Sequence, residues 1–260
     1  MTNRYTCTFC KKKRNEEYLL QSFDKIHNKK SWICKDHTSI LSDIRSIRTS
    51  QNKPIFIELF SGSKHISNHA AQEGFEVISI DNNPKLNPTI CKNIQSVNRK
   101  SLPGSVAVVW ASIPCTTFSI LSIPKQWDKI SIGYRNYYYV PKTPAAIEAL
   151  RIVNKTLKLI AEINPIYYFI ENPRGALRHF PQMKLVPYRK TVSYADYGFD
   201  YYKPTDIFTN CESFNPKQLT WAVGKEFDRS VEDLPNAYER SLIPQPLIEE
   251  IFQSFTNKLL

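Results

Sequence analysis

At 260 residues, 42% of them hydrophobic and 12% aromatic, the chain holds enough apolar material for one sizeable core plus a small appendage, which excludes general disorder. The formal charge of +11 points to a polyanionic partner, nucleic acid first, with a solvated Lys-rich surface as the bland alternative. Apolar runs of about 18 residues are absent and Met1-Thr2-Asn3-Arg4-Tyr5 lacks a signal-peptide pattern, so no membrane contact and a cytoplasmic location are expected.

Residues 1–50 read as a separate module. They hold Cys7-x-x-Cys10, the basic run Lys11-Lys12-Lys13-Arg14, and Cys34-x-x-His37. In residues 1–53, 12 Lys or Arg stand against 5 Asp or Glu, giving +7 of the +11. In a reducing compartment clustered cysteines are metal ligands more often than disulfides. Two knuckles place Cys7, Cys10, Cys34 and His37 where a tetrahedral zinc ion can join two chain segments, and four protein ligands make such an ion structural. The gap between the knuckles allows a small hairpin. His27 is a competing ligand of poorer spacing, and four unrelated residues are the plain alternative. A helix capped by Thr38 or Ser39 follows, with Ile40, Leu41, Ile44 and Ile47 on one face, and residues 49–54 read as a linker.

From Ile55 strands and helices alternate, which implies a mostly parallel sheet covered on both faces, an α/β Rossmann-like fold. Strands are expected at Ile55–Phe60, Val77–Ile80, Val106–Ala111 and Ile166–Ile170. A short helix covers Ser67–Gln72, and a long one Pro144–Ile163, with Ile147, Leu150, Val153, Leu157 and Ile160 on one face. Lys190–Ser193 and Thr205–Phe208 resemble paired strands, and a last helix spans Gln245–Phe255.

Two strand endings carry chemistry. Val106–Ala111 stops at Ser112-Ile113-Pro114-Cys115, and Ile166–Ile170 stops at Glu171-Asn172-Pro173. Open α/β sheets bind ligands at the carboxyl ends of their strands, so a thiol and a carboxylate are delivered to one edge. The turn Phe60-Ser61-Gly62-Ser63 lets the backbone approach a nucleotide-like ligand, and Asp81 can accept hydrogen bonds from ribose hydroxyls. An ordinary polar turn is the alternative for Asp81-Asn82-Asn83-Pro84. The segment 115–143 reads as a mobile loop whose Lys125, Trp127, Lys129, Tyr134, Arg135 and Tyr137-Tyr138-Tyr139 either suit DNA or pack on one another.

From Ile55 to about Asn210 the chain resembles the cytosine-5 DNA methyltransferases, in the short form that many phages encode, here with a zinc-finger-like module in front. The resemblance rests on Phe60-Ser61-Gly62, Asp81, Asn93-Ile94, Pro114-Cys115, Glu171-Asn172 and Ala195-Asp196-Tyr197-Gly198. The Pro-Cys and Glu-Asn pair in that order is its most specific part. It implies S-adenosylmethionine as methyl donor, held by Phe60, Ser61, Gly62, Asp81, Asn82, Asn93, Ile94 and Pro114. It implies double-stranded DNA as substrate, in a phage or restriction-modification setting, with a monomer favoured. Cys115 would attack carbon 6 of a flipped-out cytosine, Glu171 would hold the ring's nitrogen 3 and amine, and Asn172 and Pro173 would hold the Glu171 turn.

Three departures from the family pattern stand out. Lys64 replaces a glycine, and Tyr201-Tyr202-Lys203-Pro204-Thr205 aligns with a motif carrying two arginines, so that Lys203 alone keeps the cationic character. Only 50 residues follow Asn210, where the family inserts a target-recognition domain. The expected organisation is a zinc module over 1–50, a catalytic domain over 54–210, and a minimal recognition segment with Trp221 and Lys225 plus the closing helix over 211–260. The competing readings are cytosine-5 methylation of RNA and a non-catalytic zinc-containing DNA-binding protein on the same scaffold.

Overall fold

The computed structural model describes residues 4–6, 13–15, 19–24, 29–34, 53–134, 136–220 and 231–259. The chain divides into two units, residues 1–53 and 54–260. In the first, β1 (Arg4–Thr6) pairs antiparallel with β2 (Lys13–Asn15), and β3 (Leu19–Asp24) pairs antiparallel with β4 (Lys29–Cys34). The hairpin expected between the knuckles is therefore present in the backbone. The helix expected after residue 38 lies outside the described residues.

The second unit begins with β5 (Ile55–Leu59), α1 (His65–Gln72), β6 (Glu76–Asp81), β7 (Ile90–Cys91) and β8 (Val108–Ser112). Then come α2 (Ile123–Gln126), β9 (Trp127–Gly133), β10 (Asn136–Pro141), α3 (Pro144–Ile163) and β11 (Tyr167–Pro173). It closes with α4 (Pro181–Lys184), β12 (Tyr188–Ser193), β13 (Pro204–Thr209), α5 (Ala237–Ser241) and α6 (Gln245–Gln253). One seven-stranded sheet runs in the order β12-β13-β11-β8-β5-β6-β7. Strands β5, β6, β7, β8 and β11 are parallel, and β13 returns antiparallel to both β11 and β12. The chain winds outward from β5 through β6 and β7, then restarts at β8 on the other side. The order thus reverses between β5 and β8, and ligands of open α/β sheets bind at such a reversal.

Period-two alternation builds both faces. Ile57, Leu59, Val109, Ala111, Ile170 and Phe208 pack with α3 into one core. Phe56, Val108, Trp110, Phe169 and Ile207 pack with Ile66 and Ala70 of α1 and Leu247, Ile248, Ile251 and Phe252 of α6 into the other. The α6 ring of Phe252 stacks on Phe56 at 5.6 Å between centroids. No helix among the described residues is long and apolar enough to cross a membrane.

Four expectations change. First, β11 does not stop before Glu171 but runs through Pro173, because β13 pairs with it as far as Pro173–Thr205. Second, residues 127–141 are a two-stranded hairpin, not a loop: β9 and β10 are in register from Tyr137–Ser131 to Pro141–Trp127. Trp127 is buried, stacks on Phe118 at 5.5 Å, and donates its Nε1 proton to the Thr117 carbonyl at 2.6 Å. Tyr137, Tyr139 and His179 also form a ring cluster, so much of this segment packs on itself, although Tyr134 stays 89% exposed. Third, the α3 stripe that faces the core is Ala146, Ala149, Val153, Thr156, Ile160 and Ile163, and Ile147 is 42% exposed. Small alanines let the helix lie close, while Leu150 and Leu157 flank the seam half-buried. Fourth, the last helix ends at Gln253 and passes into a short 3-10 turn at Thr256–Lys258.

The segment after β13 is tied back to the rest of the second unit. Phe214 is buried, the Lys217 N–H donates to the Tyr197 hydroxyl at 3.1 Å, and the Thr220 N–H donates to Asp196 Oδ2 at 3.0 Å. Trp221 and Lys225 lie outside the described residues.

Candidate active site

Strand β8 leads through buried Ile113 and exposed Pro114 to half-buried Cys115. The Cys115 carbonyl accepts the N–H groups of Phe118 at 2.9 Å and Ser119 at 3.1 Å, which curls residues 115–119 into a tight turn. That turn is clamped from β11. Asn172, fully buried, donates its Nδ2 proton to the Ile113 carbonyl at 2.8 Å. The Ala176 N–H donates to the Phe118 carbonyl at 2.8 Å, and Ser119 forms an isolated bridge with Gly175. Asn172 therefore fixes the chain just ahead of Pro114-Cys115, whereas the sequence suggested that it holds the turn of Glu171.

Glu171 lies opposite Ser112 in the parallel register of β11 and β8. Its buried carboxylate accepts the Tyr194 hydroxyl at 3.2 Å. Lys203, just before β13, is also buried. Its ammonium donates to the Arg240 carbonyl at 2.6 Å and stands 4.7 Å over the Tyr194 ring. The three groups act on one another. Burial first, and the Glu171 charge second, push the Cys115 thiol up, while Lys203 and Arg240 draw it down. Burial pushes the Glu171 carboxyl up against the pull of Lys203, Tyr194 and Ser112. Burial lowers the Lys203 ammonium against the pull of Glu171 and Cys115. So the structure brings Cys115, Glu171, Asn172 and Lys203 to one sheet edge. Such an edge can present a thiol to an electrophilic ring carbon and a carboxyl to the ring's polar edge.

Beside it, at the end of β5, lies an open cleft lined by Glu58, Phe60, Ser61, Gly62, Ser63, His65, Ile66, Ser112, Ser241 and Ile243. Its turn is strained: Phe60, Gly62 and Lys64 all have left-handed φ, at 60°, 42° and 58°. Lys64 thus occupies a conformation that favours glycine, at a cost of about 1 kcal/mol, and its ammonium donates to the Asn87 carbonyl. The Ser61 N–H donates to the Ile80 carbonyl at 3.1 Å. Asp81 accepts the N–H groups of Gly62 at 3.0 Å and Asn83 at 2.9 Å. It therefore anchors the turn from the neighbouring strand end. The hydroxyl oxygen of buried Ser61 has no hydrogen-bond partner among the described residues.

Of the other residues singled out from the sequence, Asn82 is exposed beyond β6, and Asn93 caps a 3-10 turn by accepting the Gln95 N–H at 2.9 Å. Ile94 is buried in the α3-side core. Among the described residues no group of His, Cys, Asp or Glu is placed to hold a metal ion. Cys7, Cys10 and His37 lie outside those residues, and for Cys34 the structure describes its place in β4 alone.

Several residues of the site escaped the sequence reading. Tyr194 and Ser112 serve Glu171 across strands, and Arg240 reaches Lys203 from 37 residues away. Glu58, in the middle of β5, is buried, accepts the N–H and hydroxyl of Ser67, and is pushed up to about 8 by burial. At neutral pH it keeps its proton and can donate a hydrogen bond into the cleft. A charged residue inside an apolar strand was the one available signal for it.

No protein-family model matches the chain. A protein of frog virus 3 (isolate Goorha) named "Probable DNA (cytosine-5)-methyltransferase" is 28% identical over 188 residues, covering 70% of this chain and 80% of the relative. Among solved structures, the S. pombe Dnmt2 methyltransferase aligns with a TM-score of 0.40 and 14% identity, over 70% of this chain and 54% of the other. A Spodoptera frugiperda DNMT2 triple mutant aligns with a TM-score of 0.38 and 15% identity, over 68% and 54% respectively. The chain thus spans about half the length of these solved structures.

Proposed function

We propose that this chain transfers a methyl group from S-adenosylmethionine to carbon 5 of cytosine in DNA, through a covalent adduct between Cys115 and carbon 6. The observation that carries this reading is the assembly of Cys115, Glu171 and Lys203 beside the Phe60–Gly62 cleft, at the reversal point between β5 and β8. The frog virus relative supports the same chemistry through its name.

The cleft fits a nucleoside-bearing donor. It offers the unpartnered Ser61 hydroxyl, the protonated Glu58, and the Phe60 ring on a strained turn. Phe60, Ser61, Gly62, Asp81, Asn82, Asn93, Ile94 and Pro114 are the residues proposed to hold it. S-adenosylmethionine supplies an electrophilic methyl group when bound. The chain's own residues do the rest. The Cys115 thiolate adds to carbon 6 of cytosine while the proton on Glu171 neutralises charge building at nitrogen 3. Carbon 5 then becomes nucleophilic enough to take the methyl group. Loss of the carbon-5 proton to water and departure of Cys115 as thiolate, with nitrogen 3 returning its proton to Glu171, restore the aromatic ring. A stacked base cannot reach this edge, so the cytosine must be flipped out.

Digestion of mixed-sequence DNA incubated with the protein and S-adenosylmethionine should yield 5-methyldeoxycytidine, read by nucleoside mass spectrometry. Methylation of RNA but not DNA would move the assignment to RNA. Binding without methylation of either, beside an active control enzyme, would leave a DNA-binding protein on this scaffold.

The same reading takes Cys7, Cys10, Cys34 and His37 as a structural zinc site in the N-terminal unit, on the strength of the two knuckles. Purified protein should carry about one zinc per chain after dialysis, by elemental analysis. Cys10→Ser should lose it, and a metal-free protein with an intact N-terminal unit would refute the assignment.

A further inference from the structure

Residues 240–243 bridge the two halves of the site. The Arg240 carbonyl holds the Lys203 ammonium at 2.6 Å, while Ser241 and Ile243 line the cleft beside Phe60, Ser61 and Gly62. The bridge is locally fixed. Asn236 caps α5 by accepting the Glu239 N–H at 2.9 Å, and Arg240 Nη1 donates to the Leu234 carbonyl at 2.8 Å.

The Arg240 side chain is nevertheless exposed. A guanidinium carries five N–H donors in a planar fork, and among the described residues the Leu234 carbonyl is the partner found for it. Its own backbone carbonyl holds the Lys203 ammonium, so the residue stands at the edge of the site. Lys203 cannot serve the solvent side in the same way, because it is buried, bound to a carbonyl and set over the Tyr194 ring.

A base that reaches Cys115 and Glu171 leaves its flanking phosphates at the mouth of the pocket. A fork-shaped cation held by one donor, with others open, matches the paired oxygens of a phosphodiester. We infer that Arg240 binds the backbone phosphate beside the target cytosine, while its carbonyl positions the Lys203 ammonium. This deepens the proposed function and rests on its nucleic-acid substrate.

The test uses the full chain and a fluorescently labelled, mixed-sequence DNA duplex. Affinity is followed by anisotropy from roughly 50 to 200 mM salt. Arg240→Gln should flatten the slope of log affinity against log salt by about one, the signature of a single lost phosphate contact. It should also raise KM for DNA roughly tenfold, as expected for one charge-assisted pair. Arg240→Lys should keep the slope and lose part of the affinity, since a point charge replaces the fork. An unchanged slope in Arg240→Gln overturns the inference. Wild-type protein that binds the duplex with a salt slope yet makes no 5-methyldeoxycytidine overturns the proposed function, and the comparison of slopes still judges Arg240.

Discussion

Cys115→Ala should abolish methyl transfer, and Glu171→Gln should cut it by roughly a hundredfold or more while making Cys115 easier to alkylate. The opposite signs of the second result follow from the shared electrostatics. The Glu171 charge is one of the causes that hold the thiol up, behind burial. Glutamine removes that charge and keeps the volume, so more thiolate is present at a given pH and iodoacetamide reacts faster with the Cys115 peptide. Catalysis falls all the same, because the amide cannot give up a proton to the ring. A merely structural Glu171 would lower both readouts together. Cys91 is also a free, exposed thiol, so the rate must be followed on the Cys115 peptide by mass spectrometry.

The same pair sets the pH profile. Both groups are pushed up, and the Glu171 charge is one of the causes at Cys115, so the two titrate as a coupled pair; on the proposed mechanism its active state carries a single proton, with Cys115 as thiolate and Glu171 protonated. On the acid side two protons are bound and the nucleophile is lost. On the alkaline side none is bound and nitrogen 3 has no donor. The wild-type kcat/KM profile should therefore be bell-shaped. In Glu171→Gln the alkaline limb should vanish, leaving activity that rises with pH and then levels off. A retained alkaline limb would assign it to another group, Lys203 being the first candidate because burial lowers its ammonium.

The strands were legible because each central one is a short apolar run between turn residues, and a fully buried strand needs no more than that. Strand β11 was read too short because Glu171-Asn172-Pro173 looks like a stop in one dimension. Its continuation depends on β13, which arrives more than thirty residues later and pairs with it. The hairpin β9–β10 was missed because it sets Lys129 among aromatics, a pattern that equally suits a nucleic-acid surface. What separates the two is the packing of Trp127 on Phe118 and Phe180, a tertiary fact. The placement of Cys115 and Glu171 on neighbouring strand ends was legible because each follows closely on a short apolar run. Tyr194, Arg240 and the bidentate pair of Arg178 with buried Asp206 were not, since each depends on a partner placed by the fold. Asp206 lies opposite Asn172 in the β11–β13 register, so this pair braces the strand that carries Glu171.

Gly175→Ala should reduce methyl transfer by roughly a hundredfold, comparable to a shift of about 1 Å in a reacting group. A Cβ at residue 175 would stand 2.0 Å from the Phe118 carbonyl oxygen and 3.0 Å from its carbon. Neither atom belongs to a flexible side chain. The Phe118 carbonyl also accepts the Ala176 N–H at 2.8 Å, so separating the segments breaks that bond as well. Phe118 cannot retreat easily, because its buried ring is stacked on Trp127 at 5.5 Å and set edge-on to Phe180 at 5.9 Å. The yielding element is therefore the turn that starts at the Cys115 carbonyl, and the thiol moves with it. Overpacking of this kind also costs about 1–3 kcal/mol of stability, which a urea midpoint would read. Gly104→Ala is the matched control, since its Cβ meets nothing within 4 Å. It should leave both rate and midpoint near wild type. If Gly175→Ala loses stability but turns over at the wild-type rate once folded, then the 115–119 turn does not depend on its contact with β11, and the clamp described for the nucleophile is wrong.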